Sequence, residues 1–254
     1  MKSVIQEIVA SLEEQAQHKL IEDVRIGLCY TAVILNDGNL GLAYTFPSRG
    51  KLHSSCDTLA SGSLRGKNAL EIIRYTLSDN LLASSVGIAT INALVNQKID
   101  TLIEGDILNA MKPSNTDIVG MVGFLGPLVD PLKKSVKKIY IFEEEKIINS
   151  PDIYPSEKIP DFLPHCSCII MSATTLINKT IDSLLTLAQN AREIIIVGAT
   201  TPLLTNIFAK RGVTMLSGIQ IVDNERVLQV VNEGGGMRAF KQAIKKVNVL
   251  LNKN

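Results

Sequence analysis

No surplus of either charge exists in this chain. Lys and Arg number 26 against 25 Asp and Glu, leaving a formal net charge of +1 over 254 residues. A protein built to coat nucleic acid would carry a basic excess, so that class is excluded. The local cluster Lys133, Lys134, Lys137 and Lys138 reads as one solvated helix face. No apolar run approaches the roughly 18 residues of a membrane span, and no cleavable leader opens the sequence, which points to a cytoplasmic protein with no membrane insertion. Only three histidines are present, and the four cysteines (Cys29, Cys56, Cys166, Cys168) include no C-x-x-C pair. Four-ligand zinc chemistry therefore has no sequence basis. His165, Cys166 and Cys168 form H-C-x-C entering a strand, where alternation would put both thiols on one face. Without further ligands they read as reduced, buried cysteines. His18 falls on the first helix and His53 in a Ser-rich loop that could approach a cleft. No nucleophile–base pairing can be nominated from residue order, because such groups meet only in the fold.

The pattern that is present divides the chain. "SVIQEIVASLEEQAQHKL" has helical spacing. "VRIGLCYTAVIL" and "LGLAYTF" flank "NDGN", a strong hairpin signal because glycine supplies positive φ in the turn. A loop and two helices follow, "NALEIIRYTLS" and "ASSVGIATINALVNQ", then a short helix and a boundary at Pro113. Beyond it, short apolar strands alternate with helices: "IVGMVGF", "KKIYIFEEE", "CSCIIMSA", "EIIIVGAT" and "VTMLSGIQIVD". That rhythm implies a parallel sheet covered on both faces. The expectation is α/β: an α+β domain over 1–112 and a Rossmann-like, mainly parallel domain over 113–254. "TLINKTIDSLLTLAQNA" and "PLLTNIFAKRG" read as helices, and "EGGGMRAFKQAIKKVNVLL" as a glycine turn into a terminal helix.

In open parallel sheets, ligands collect at the carboxyl ends of the strands. The first such end, "VGMVGFLGP", offers Gly120, Gly123 and Gly126, though not G-x-G-x-x-G. Glu143 ends the second, 20 residues beyond Gly123, about the separation at which dinucleotide folds place a ribose-binding acid. Glu144 and Glu145 beside it leave a solvated acidic end equally open. The third end, "MSATTLINKT", crowds Ser172, Thr174, Thr175, Asn178 and Thr180 at one corner. One hydroxyl suffices for a cap there, which leaves the others for a ligand. At the fourth, Thr200 or Thr201 would cap a helix begun by Pro202. "EGGGMR" removes three side chains in a row, suiting either close approach or a flexible connector.

Taken in order, "SGSLRGKNALEIIRY", "GIATINAL", "VGMVGFLGPLV", "MSATTLINKTIDSLL", "VGATTPLLTNIFAKRGVTMLSGIQIVD" and "EGGGMRAF" resemble the putative heavy-metal chelatase family of prokaryotes, over nearly the whole chain. The resemblance implies an enolase N-terminal-like domain joined to a Rossmann-like domain, with a site in the cleft between them. The matching candidates are Asn92, Gly123, Phe124, Glu143, Thr174, Thr175, Asn178, Thr180, Thr200, Thr201, Gly234 and Gly235. Many relatives carry His where this chain has Phe124, whose ring could instead stack on a planar ligand. The resemblance implies a heavy metal or metal chelate as cofactor or cargo, a role in metal homeostasis, and a small anionic or metal-complexing ligand. The alternatives are a nucleotide- or S-adenosylmethionine-dependent enzyme and a non-enzymatic sensor. Whether a reaction is catalysed stays open; a homodimer is the expected assembly.

Overall fold

The computed structural model describes residues 2–46, 59, 61–97, 102–144 and 150–251. His53, Cys56 and Glu145 lie outside the described residues. The chain opens with α1 (Val4–Ala16), started by a capping box in which Ser3 Oγ accepts from Gln6 N–H and the Gln6 side chain returns to the Ser3 N–H. The helix stops before His18, which is exposed beyond its end.

The expected hairpin is a three-stranded antiparallel meander, β1 (Ile21–Ile26), β2 (Tyr30–Leu35) and β3 (Leu40–Tyr44). The turn at Asp37-Gly38 was legible, with Gly38 at φ +82°. The break at Gly27 inside "VRIGLCYTAVIL" was not. A side chain at Gly27 would meet the Val231 carbonyl oxygen at 2.3 Å, so that turn is set by a distant helix. α2 (Ala69–Ile73) leads through a 3-10 turn to α3 (Leu81–Val95), buried at every position from Ala83 to Leu94. Burial all round is possible because α3 lies backbone-close on β3: a Cβ on Gly41 would sit 2.1 Å from Ala89 O and 2.2 Å from Ala93 N.

The second sheet takes in β4 (Ile103–Glu104), then, after α4 (Ile107–Met111), β5 (Ile118–Val122). α5 (Gly126–Ser135), β6 (Lys138–Phe142), β7 (Ile153–Tyr154), α6 (Ile159–Phe162) and β8 (Cys168–Ser172) follow. α7 (Ile181–Leu187), β9 (Glu193–Val197), α8 (Thr205–Ala209) and β10 (Met215–Ile221) come next. The described chain ends with α9 (Asn224–Asn232), α10 (Met237–Phe240) and β11 (Ile244–Leu250). The strand order is β4-β11-β10-β9-β8-β5-β6-β7, parallel from β10 through β7. An N-terminal α+β part thus joins a mostly parallel sheet.

Two expectations fail here, and one element was missed. The terminal segment is a strand, not a helix: β11 runs antiparallel to β10 in register from Met215↔Leu250 to Ile221↔Ile244. Ile244, Val247 and Val249 gain cover there, which β-branched residues find more readily on a sheet than along a helix face. α9, unassigned from sequence, buries Val227, Val230 and Val231 against Ala32, Leu40 and Leu42 of the meander. The two thiols lie on opposite faces: Cys168 packs with Ile170 beside α4 and α5, whereas Cys166 joins the core shared by Ile169, Met171 and the N-terminal helices. Cys166 stands before the strand begins, so alternation never reaches it.

Below the sheet, at the amino ends of its strands, Asp117 is buried and holds Arg192 with two hydrogen bonds, Nη2 to Oδ2 at 2.6 Å and Nε to Oδ1 at 3.1 Å. Ser114 N–H and Ser167 Oγ–H donate to the same carboxylate. The Arg192 contact draws the Asp117 carboxyl down to about 2. Lys133 pairs with Asp152 at 2.7 Å and Lys138 lies over the Tyr140 ring, so half of the lysine cluster is engaged in the fold.

Candidate functional site

Strand order reverses between β5 and β8, and at that switch point the carboxyl ends of the strands open into a cavity of about 500 Å³. Its lining joins both parts of the molecule: Tyr30, Tyr44 and Phe46 from the meander, and Phe124, Glu143 and the β8 corner from the parallel sheet. Crevices of this kind arise because helices leave a sheet to opposite sides at a reversal.

The β5 end makes its turn through Gly123 at φ +87°. A side chain there would press on Ser172 Cβ at 3.0 Å, so the absence of a Cβ keeps the β5 and β8 ends in contact. Phe124 follows, one-third exposed (37%), its ring folded over Gly126, where a Cβ would lie 3.2 Å from Cε1. Glu143, at the next strand end, reaches back: its Oε2 accepts from the Phe124 N–H at 2.8 Å and its Oε1 from the Glu144 N–H at 2.9 Å. The acid expected to hold a ribose therefore also fixes the glycine turn beside it.

The β8 corner is more finely divided than its sequence suggests. Ser172, not a threonine, caps: its Oγ accepts the Thr174 N–H and shares a 2.8 Å hydrogen bond with Thr174 Oγ1. The following helix is broken into a 3-10 turn (Ala173–Leu176) and α7, with Lys179 between them at φ +62°. Thr175 is buried and donates to Ser172 O. Asn178 Oδ1 accepts from both the N–H and the hydroxyl of Thr180, leaving its NH₂ without a partner among the described residues. Lys179 reaches across to the N-terminal part, donating to Leu77 O at 3.3 Å, to Ser78 O, and to Asp79 Oδ1 at 3.1 Å. A cost of left-handed backbone at a lysine is thus offset by three acceptors on the other side of the cleft.

Of the twelve nominated residues, Gly123, Phe124, Glu143, Thr174, Thr175, Asn178, Thr180 and Thr200 line the cavity. Asn92, Thr201, Gly234 and Gly235 are not among its lining. Asn92 is buried inside α3, donating to Leu42 O at 2.7 Å, and its Oδ1 has no partner. Thr201 is fully buried and donates to Ser217 O. A Cβ added at Gly234 would meet Leu28 Cδ1 at 3.0 Å, and one at Gly235 would meet Val230 Cγ1 at 2.7 Å. Thr200 is no helix cap either, since α8 starts only at Thr205. The loop before it is held extended by tertiary partners: Thr200 Oγ1 accepts the Tyr44 N–H, while Asn96 donates to Thr201 O at 3.0 Å and accepts from Leu203 N–H at 2.9 Å.

Sequence reasoning missed the aromatic wall. Tyr30, Tyr44 and Phe46 make a chain of edge-to-face contacts, at 6.1 Å and 5.3 Å between centroids. Burial pushes the Tyr30 hydroxyl well above its ordinary range, with Cys29 and Tyr44 adding to the effect. The available signal was the i, i+2 spacing of Tyr44 and Phe46, which alternation puts on one face; Tyr30 joins them only through the β2–β3 pairing Tyr30↔Tyr44, which the sequence does not reveal.

Among the described residues no three His, Cys, Asp or Glu side chains stand close enough to hold a metal ion. Burial raises the Cys166 and Cys168 thiols to about 12 each, so both stay protonated. Bare soft-metal binding does not fit the described side chains; the cavity has the size and chemistry for an organic ligand, with or without a metal of its own.

Fold and cleft together define a two-part α/β protein with a cavity at its sheet reversal. The chain belongs to the family described as "Putative heavy-metal chelation", which its residues 106–250 match, and residues 9–95 match a second family of the same description. An uncharacterised protein of Methanocaldococcus jannaschii is 28% identical over 241 residues, covering 92% of each chain. A crystal structure of a protein of unknown function from Pyrococcus horikoshii is 25% identical and superposes with a TM-score of 0.86, over 98% of this chain and all of that one. A second, from Desulfitobacterium hafniense, is 23% identical with a TM-score of 0.81, over 97% and 98% of the two chains, and shares the fold.

Proposed function

We propose that this protein binds a small metal-complexing organic molecule, free or metal-loaded, in the cleft between its two parts, over 1–112 and 113–254. One observation carries the reading: the cavity brings an aromatic wall, a hydroxyl- and amide-rich corner and a carboxylate to one open cleft at the sheet reversal. Aromatic faces supply apolar area, and a few convergent polar groups supply orientation, which is the usual make-up of a ligand site. The family description favours a metal as part of the cargo. A role in metal homeostasis follows from that reading.

A second reading, a nucleotide- or S-adenosylmethionine-dependent enzyme, is favoured by one contact: the acid ending β6 lies beside the glycine turn ending β5, with Glu143 bonded to Phe124 N–H. Native mass spectrometry with elemental analysis of the purified protein tests both. A co-purified organic molecule that leaves on unfolding, lost in a Thr174→Val/Asn178→Leu variant that keeps its fold, is the expected result. Equilibrium dialysis showing tight S-adenosylmethionine or nucleotide binding would transfer the assignment to the second reading. A stoichiometric metal with no organic component would refute the first.

A further inference from the structure

The cavity is polarised, and its polarity names a ligand class. At one end the Glu143 carboxylate is oriented by two backbone N–H groups, and no ion pair from a described residue reaches it. At the other end stand donors without acceptors. The Asn178 NH₂ has no acceptor among the described residues, since Thr180 donates both its N–H and its hydroxyl to Oδ1. Thr200 Oγ1 accepts from Tyr44 N–H and retains its own hydrogen to give. Ser172 and Thr174 share one hydrogen bond, which leaves one of their two hydroxyl hydrogens unspent. Between the ends runs the β5 turn, where Gly123 presents backbone only.

Glu143 ends β6 and the donor corner ends β8, with β5 between them. Two strand spacings put the β6 and β8 ends about 9–10 Å apart, and Thr200, beyond β9, stands one strand farther. Phe124 follows the β5 turn between the ends, and the aromatic wall adjoins the donor end, where Tyr44 N–H meets Thr200 Oγ1.

We propose that the cleft takes an elongated zwitterion with a planar middle: a cationic group at Glu143 beside Phe124, and a carboxylate or equivalent acceptor at Asn178, Thr200 and the Ser172–Thr174 pair. A carboxylate fits the second end because its oxygens accept from several neutral donors at once without needing a cation. A cation fits the first because the carboxylate has acceptor capacity left and an aromatic ring alongside. The inference rests on the cleft being the binding site and specifies the charge pattern of what it binds.

The test uses three probes of one shape, titrated against the full chain by calorimetry. They are para-(aminomethyl)hydrocinnamate (both charges), para-ethylhydrocinnamate (anion only) and para-(aminomethyl)hydrocinnamide (cation only). The zwitterion is expected to bind at least about 10-fold more tightly than either relative, since a hydrogen bond to a charged group is worth about 1.5–3 kcal/mol. Glu143→Gln should abolish the advantage over the anion, and Asn178→Leu/Thr200→Val the advantage over the cation, with unfolding transitions confirming that each variant is folded. Equal binding of all three probes, or preference for a single-charge probe, would overturn the zwitterion while leaving the cleft a binding site. Failure of all three to bind would overturn the binding reading as well.

Discussion

Neutralising Asp117 is the perturbation whose size the structure sets most directly. The carboxylate is buried, accepts two hydrogen bonds from Arg192 and one each from Ser114 and Ser167, and is lowered from 3.8 to about 2. At 1.36 kcal/mol for each tenfold change in proton affinity, the lowering corresponds to about 2.4 kcal/mol. Arg192 is half exposed (49%), so water screens the pair and about 1–1.5 kcal/mol is the expected contribution. The sign follows from linkage. A carboxyl whose folded value is depressed stabilises fully above its unfolded value near 4, and that stability is lost as pH falls towards 2. Asp117→Asn should lower stability at pH 6 by about 2 kcal/mol, because the amide also weakens the hydrogen bonds from Ser114 and Ser167. The difference between the native chain and the variant should shrink by about 1–1.5 kcal/mol between pH 4 and pH 2. Urea unfolding at several pH values measures both, and subtraction removes the other titrating carboxylates. A gap of constant size from pH 6 to pH 2 would refute the reasoning.

Gly41→Ala should cost about 3 kcal/mol or more, since its Cβ would lie 2.1 Å and 2.2 Å from backbone atoms of α3 that cannot swing aside. That amounts to a midpoint drop of roughly 6–12 °C for a chain of this length, and a drop of 1 °C or less in a thermal scan would show that α3 does not lie against β3 in this way. Cys166 and Cys168, raised to about 12 by burial, should resist iodoacetamide at pH 8 in the folded protein and react on unfolding, because only the thiolate attacks. Peptide mapping reads this out, and rapid labelling of either peptide in the native state would contradict its burial.

The parallel strands were readable because burial on both faces leaves an unbroken apolar run, as in Ile194, Ile195 and Ile196. The β8 corner was readable as a candidate because more hydroxyls gather there than a cap requires. Its division of labour was not: which group caps, which donates inward and which faces the cavity follows from the left-handed turn at Lys179, held by acceptors 100 residues away. The terminal segment was misassigned for a related reason. "AIKKVNVLL" suits either period, and only the free edge of β10 decides for a strand.

The sequence by itself determined the parallel strands and their carboxyl ends, since apolar runs and the breaks that close them are local, and it set the charge balance outright. Tertiary structure alone decided what lines the cleft. The Tyr44 N–H meets Thr200 because the meander packs on the loop after β9. Asn92 is withdrawn from the site because α3 is buried on all sides. Gly234 and Gly235 lie against the Leu28 and Val230 side chains. Each outcome rests on contacts between segments far apart in sequence, whose geometry is fixed by packing and not by local preference.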